Sequence, residues 1–137
     1  MADYLADKSA IVHLGKPIVA AKLAPLIMAG QVATCGVVEL EILYSARSQK
    51  DLVATRNERG LAYPRFPMTE GDFARAEDVL ELLAKTGRHR AVSLPDLLIA
   101  AVAERGGLTV LHYDADFDIV ASVTHQPVEW IAKQGSL

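Results

Sequence analysis

Leu108-Thr-Val-Leu-His-Tyr-Asp114-Ala-Asp116 decides the fold of this 137-residue chain. Gly106 and Gly107 stop the segment before it, and Leu108 to His112 then reads as a strand running straight into an acid. A second run of this kind, Tyr4-Leu5-Ala6, ends directly on Asp7. Val32-Ala-Thr-Cys35 and Pro127-Val-Glu-Trp-Ile131 read as two further short strands. One or more helical patterns separate each strand from the next, which implies crossover connections and a parallel sheet covered on both faces. The expected architecture is α/β: a three-layer α/β/α sandwich around a short, mainly parallel sheet, with residues 1–137 forming one domain.

The helices are placed by their stop and start signals. Ser9 to Leu14 is closed by Gly15, and Pro17 opens a helix through about Met28, with Gly30 as its stop. Val37 to Ala46 and Gln49 to about Arg59 follow, the latter ending at Gly60. Tyr63-Pro-Arg-Phe-Pro67 reads as a linker, because two prolines so close together prevent a regular element. From Thr69, the apolar residues Phe73, Ala76, Val79, Leu80 and Leu83 recur at helical spacing until Gly87, and Arg88-His-Arg90 occupies the next loop. Ser93-Leu-Pro-Asp96 has the form of a capping box and opens a helix that reaches Gly106-Gly107. A short helix is expected over about Asp116 to Ala121.

Composition excludes some classes. The chain is 51% hydrophobic and 23% charged, as soluble globular proteins are. Its longest apolar run, Ile18 to Ala29, is interrupted by Lys22 and Pro25 and is too short to span a bilayer. The N-terminus carries Asp3 and Asp7 where a secretory signal would be basic. Cys35 is the only cysteine, so no internal disulfide can form; it reads as a buried small residue, and a cytoplasmic location is expected. There is no glycine-rich dinucleotide loop, no Gly-Lys-Ser/Thr phosphate loop and no Cys/His metal spacing. His13, His89, His112 and His125 are too dispersed for a zinc site.

Net charge is −3, but its distribution is uneven. Between Tyr44 and Phe66, Arg47, Lys50, Arg56, Arg59 and Arg65 face only Asp51 and Glu58. Between Leu94 and Val120, Asp96, Glu104, Asp114, Asp116 and Asp118 face only Arg105. An acidic patch beside a basic one suits a metal site flanked by phosphate-binding surface, although charge alone favours the plainer reading of two solvated helical faces.

In an open parallel sheet, ligands collect beyond the carboxyl ends of the strands. Parallel β-strands ending at Asp7 and Asp114 bring those acids to one edge, and Asp96 opens the helix that leads into the second of these strands. Carboxylates crowded in one cleft take up protons unless a cation compensates them. Magnesium, a hard, oxygen-seeking ion, suits such a site. Each of these three acids also stands at a helix start, where capping would account for it. The helix over Val37-Val-Glu-Leu-Glu-Ile-Leu-Tyr44 is apolar nearly all round, so it is expected to be buried, and a buried carboxylate calls for a partner or a function. The helical wheel does not decide between Glu39 and Glu41.

The chain resembles the PIN-domain ribonucleases, specifically the VapC-type toxins of bacterial toxin–antitoxin pairs. The resemblance runs nearly end to end. It rests on Leu5-Ala-Asp7-Lys-Ser9, Glu41-Ile-Leu-Tyr-Ser45, Leu94-Pro-Asp96-Leu-Leu-Ile-Ala-Ala101 and Leu111-His-Tyr-Asp114-Ala-Asp116-Phe117. It implies that Asp7, Glu41, Asp96 and Asp114 are the catalytic acids, with Glu41 preferred over Glu39 because it opens the Glu-x-x-Tyr segment. Asp7, Asp96 and Asp114, with Asp116 as an accessory acid, would hold Mg2+ or Mn2+, and Ser9 would support Asp7. His112 departs from the Ser or Thr that the family often has there, and reads either as a strand-end packing residue or as a modifier of the site. Arg47, Arg88 and Arg90 are the candidate RNA-backbone contacts. The implied activity is metal-assisted hydrolysis of RNA by the toxin of a pair that inhibits translation and growth. A VapB-type antitoxin and a second copy of the chain are the implied partners. Two rivals remain: a nuclease of this fold acting on DNA or structured nucleic acid, and a non-catalytic binding module. The minimal chain argues against the first, and the intact acid set against the second.

Overall fold

The computed structural model describes all 137 residues. Four strands, β1 (Tyr4–Ala6), β2 (Val32–Ala33), β3 (Thr109–His112) and β4 (Val128–Trp130), form one sheet in the order β2-β1-β3-β4, and every pairing is parallel. Seven helices connect them: α1 (Lys8–Ile11), α2 (Pro17–Met28), α3 (Gly36–Tyr44), α4 (Gln49–Ala62), α5 (Glu70–Ala84), α6 (Leu94–Gly106) and α7 (Asp116–Thr124).

Side chains alternate across the strands and divide the interior into two apolar layers. Leu5, Ala33 and Val110 pack with Val38 of α3, Val79 and Leu83 of α5, Ile99 and Val102 of α6, and Phe117 and Val120 of α7. Ala6, Val32 and Leu111 face the other way, toward Ala10, Val19 and Leu23 of α1 and α2, Tyr63 and Ile131. This is the expected three-layer sandwich. Truncating a fully buried residue such as Leu111 to alanine would cost about 2–5 kcal/mol.

Several boundaries differ from the sequence reading. β2 stops at Ala33, because Thr34 leaves the β1 ladder and bridges Arg65 instead. Thr34 N donates to Pro64 O at 2.9 Å and Phe66 N to Thr34 O at 2.8 Å, so the proline-flanked linker supplies one strand-like residue at the sheet edge. α4 continues through Gly60 to Ala62, and α7 runs to Thr124 before His125 turns left-handed at φ 60°. α6 is stopped by Gly107 at φ 66°, a conformation that favours glycine. The capping box expected at Ser93 is only half formed: Ser93 Oγ accepts from Asp96 N at 3.4 Å, but Ser93 N donates to Asp116 Oδ2 at 3.1 Å. The Asp96 carboxylate is thereby left for another use. A complete capping box joins Thr69 and Asp72 instead.

Helix α3 is less buried than its composition suggested. Leu40 is 70% exposed and Tyr44 91%, while Val38 and Glu39 are buried. No helix is long and apolar enough to cross a membrane.

Candidate metal centre

The strand order places β1 between β2 and β3: the β1–β2 connection through α1 and α2 packs on one face of the sheet, and the β2–β3 connection, which crosses back over β1, packs α3, α5 and α6 on the other. That switch point opens a crevice at the carboxyl ends of β1 and β3. Asp7 lies at its base. Its backbone N extends the β1–β3 ladder by donating to Leu111 O at 2.9 Å. Its carboxylate Oδ2 accepts from Ser9 N at 3.0 Å and Ser9 Oγ at 2.6 Å, capping α1. Ser9 Oγ also accepts from Tyr113 N at 2.8 Å, tying the two strand ends together through one hydroxyl. The capping reading and the site reading of Asp7 are therefore compatible. Oδ2 caps the helix, while Oδ1 is buried with no hydrogen-bond partner.

Glu41 reaches the same place from α3. Its Oε1 is also buried and unpartnered. Asp96 enters from the first turn of α6 and is 5% exposed. Asp7, Glu41 and Asp96 each offer an oxygen within 4.8 Å of the others. Asp96, Asp114 and Asp116 form a second such triad, so Asp96 is common to both. Asp114 Oδ1 accepts from Asp116 N at 2.9 Å, a local turn that orients both acids at the start of α7.

The electrostatics follow from this crowding. Burial, then a hydrogen bond that the Asp96 carboxyl, when protonated, donates to Asp116, and the charges of Asp7 and Asp114, push Asp96 up to about 8. Glu41 is raised by burial and by Asp7, with Asp114 adding to the shift and Lys8 opposing it. Five acids from four chain segments thus gather around too little positive charge. Unpaired buried carboxylate oxygens are costly, and a divalent cation with oxygen ligands is the group that satisfies them.

Glu39 has a different environment. Arg59 grips it in a bidentate pair, Nε to Oε1 and Nη2 to Oε2 both at 2.7 Å, and Thr34 Oγ1 donates to Oε2. Burial works against its ionisation, but Arg59 and Thr34 outweigh it and hold the carboxyl below its ordinary value. Glu39 is a structural ion pair outside the cluster.

His112 is fully buried, its ring 5.1 Å from Phe117 and 4.9 Å from Trp130 between centroids. Burial lowers its pKa and favours the neutral ring. Nδ1 accepts from Asp114 N at 3.2 Å, which places the ring proton on Nε2, 4.0 Å from Asp118 Oδ1. Packing and support of the Asp114 backbone are both present in one side chain.

None of the three basic candidates hydrogen-bonds or ion-pairs with the clustered acids. The Arg47 backbone N donates to Asp51 Oδ2 on α4. Arg88 donates to Thr86 Oγ1 and to Ser122 Oγ near the end of α7. Arg90 is exposed, with no side-chain hydrogen bond. The cation beside the cluster is Lys8, which the sequence reading did not single out although it stands between Asp7 and Ser9. Its Nζ donates to Ser45 Oγ at 2.9 Å, and with Leu40, Glu41 and Tyr44 it lines an open cavity of about 270 Å³.

A family model described as the PIN domain matches residues 4–123. The chain belongs to the PIN-domain family. Within that family it is 44% identical to Ribonuclease VapC21 of Mycobacterium tuberculosis over 135 residues, spanning 97% of this chain and 96% of that protein. Among solved structures, DNA-bound VapBC from Salmonella typhimurium superposes with a TM-score of 0.78 at 14% identity, covering 96% of this chain and 100% of the other. VapBC-5 of Mycobacterium tuberculosis, described as a member of the VapBC family of toxin-antitoxin systems, superposes at 0.60 with 25% identity over 95% of this chain and 98% of the other. The four-stranded parallel sheet and the acidic crevice therefore occur in a PIN-domain chain whose curated sequence relatives include VapC ribonucleases.

Proposed function

We propose that this PIN-domain protein is a metal-dependent endoribonuclease and the toxin of a toxin–antitoxin pair. The observation that carries this reading is the convergence of the Asp7, Glu41 and Asp96 carboxylates within 4.8 Å of one another, with one buried oxygen of Asp7 and one of Glu41 left without a hydrogen-bond partner. Such a set fits Mg2+ or Mn2+. Asp7, Asp96 and Asp114 would hold the ion, with Asp116 accessory to them and Glu41 completing the catalytic set. When bound, the ion makes a water more acidic and stabilises negative charge on the scissile phosphate.

The remaining work belongs to the chain's own groups. Ser9 fixes the Asp7 carboxylate against the β3–α7 turn, and His112 holds the Asp114 backbone. Lys8 stands where a phosphate oxygen can meet an ammonium, and the exposed Tyr44 ring offers a stacking surface for an unpaired base. The names of the relatives support RNA as substrate, and the VapBC complexes among the structural neighbours support a VapB-type antitoxin as partner. In this reading the antitoxin silences the cleft by setting a basic side chain against the acids. The protein forms a homodimer and acts in the cytoplasm, where its RNA is.

Purified protein freed of antitoxin, incubated with RNA and with DNA in Mg2+ or in chelator, tests the proposal. RNA cleavage only with metal is expected. Cleavage that persists in chelator, or no cleavage at all, contradicts it, and equal cleavage of DNA assigns the chain to the rival nuclease class.

A further inference from the structure

The face of α3 that carries Glu39 borders a separate cavity of about 260 Å³ against α4 and the Pro64–Phe66 segment. Its walls include Arg56 and Gly60 of α4, Arg65, and the buried Glu39–Arg59 pair. Glu39 is consumed by Arg59 and Thr34, which leaves Arg56 and Arg65 without an acid partner; neither makes an ion pair or a side-chain hydrogen bond. Three guanidinium groups therefore share the cavity with a single carboxylate that is already bonded on both oxygens.

The backbone brings these groups to one cavity. Arg56 and Arg59 lie one turn apart on α4, so both address the same side of the helix. Arg65 is held by the Thr34 bridge at the sheet edge. Gly60 adds no side chain, and a Cβ built there would meet nothing within 4 Å, so the wall is open at that point. Guanidinium forks match the paired oxygens of a phosphate, and Arg56 and Arg65 have theirs free to take one.

We propose that this cavity is a phosphate-binding site, distinct from the acidic crevice that Glu41 enters two residues further along the same helix. The phosphate is either part of an RNA backbone passing over α3 and α4 or a free phosphate species. The proposal needs no cleavage activity, so it stands or falls apart from the ribonuclease reading.

The test uses the full-length protein with 15N label. Inorganic phosphate is titrated against chloride at constant ionic strength, and single-stranded RNA is titrated in chelator so that nothing is cut. The variants are R56Q/R65Q and the charge-keeping R56K/R65K; both replace exposed side chains, and thermal unfolding checks that each is folded. Phosphate is expected to produce saturable shifts at Thr34, Arg56, Gly60 and Arg65 that vanish in the glutamine variant and persist, weakened, in the lysine variant. If the site serves RNA, the glutamine variant also binds RNA about tenfold more weakly. Its salt dependence then falls by about 0.7 in log–log slope per lost contact. Phosphate shifts with unchanged RNA affinity assign a free phosphate; weaker RNA binding without phosphate shifts assigns the backbone. Phosphate shifts that survive in the glutamine variant, or no local shifts together with unchanged RNA binding, overturn the proposal.

Discussion

Glu39 and Glu41 stand two residues apart on α3 and face opposite surroundings: Glu39 is locked to Arg59 by two 2.7 Å hydrogen bonds, whereas Glu41 keeps a buried oxygen with no partner beside Asp7 and Asp96. The two replacements should therefore have opposite consequences. Glu39→Ala leaves a buried guanidinium unpaired and should cost about 3 kcal/mol or more of stability. Glu41→Gln removes repulsion and should leave stability equal or higher, yet lower RNA cleavage by about 100-fold or more. Denaturant unfolding and single-turnover cleavage, measured on both variants, check the contrast. Similar unfolding midpoints for the two would contradict it.

That pair also shows where sequence reasoning reached its limit. Asp7 and Asp114 were legible because each ends a strand and parallel strands share an edge. Asp96 was legible from its place in the first turn of α6, though the capping box drawn there misassigned the partner of Ser93 N, which is Asp116. The choice of Glu41 over Glu39 came only from resemblance, because its physical reason is Arg59, twenty residues away on another helix. Lys8 was missed for a similar reason: its neighbour Ser45 lies thirty-seven residues on. The fold was readable because hydrophobic periodicity is local. The ion pairs and the Thr34–Arg65 bridge were not, because they depend on packing between distant segments.

Stability without metal should fall as pH rises. Folded Asp96 keeps its proton up to about 8, while the unfolded chain releases it near 3.8. Between those values the unfolded state binds fewer protons, so each step up in pH favours unfolding. The raised Glu41 acts in the same direction. Glu39 and Asp72, held below the ordinary carboxylate range by Arg59 and Arg105 against the effect of burial, act oppositely and lose their stabilising contribution as pH falls through and below that range. In chelator, Tm should decline from about pH 5 to pH 8, and Asp96→Asn should flatten that decline. An unchanged slope in the variant would contradict the assignment.

Ser9→Ala removes the hydroxyl that donates to Asp7 Oδ2 and accepts from Tyr113 N. The expected loss is about 1–3 kcal/mol in stability and about 10–100-fold in metal affinity or cleavage, because a supporting hydrogen bond orients the ligand. Ser9→Thr should restore much of both. Calorimetric metal titration on the two variants separates loss of orientation from general destabilisation.

His112→Ser restores a hydroxyl next to Asp114 but empties the space against Phe117 and Trp130. Stability should drop by about 2–4 kcal/mol from the cavity, with cleavage at saturating metal retained within about tenfold. A large loss of cleavage with unchanged stability would make His112 part of the chemistry rather than of the scaffold.

The central claim, that the acids gather to hold a divalent cation, is met most directly by titrating Mg2+ or Mn2+ into the protein near neutral pH in buffers of different ionisation enthalpy. Saturable binding with net proton release is predicted, because the ion must displace the proton held by Asp96, and both signals should disappear in Asp96→Asn. Absence of binding, or equal binding by Asp96→Asn, would contradict the account.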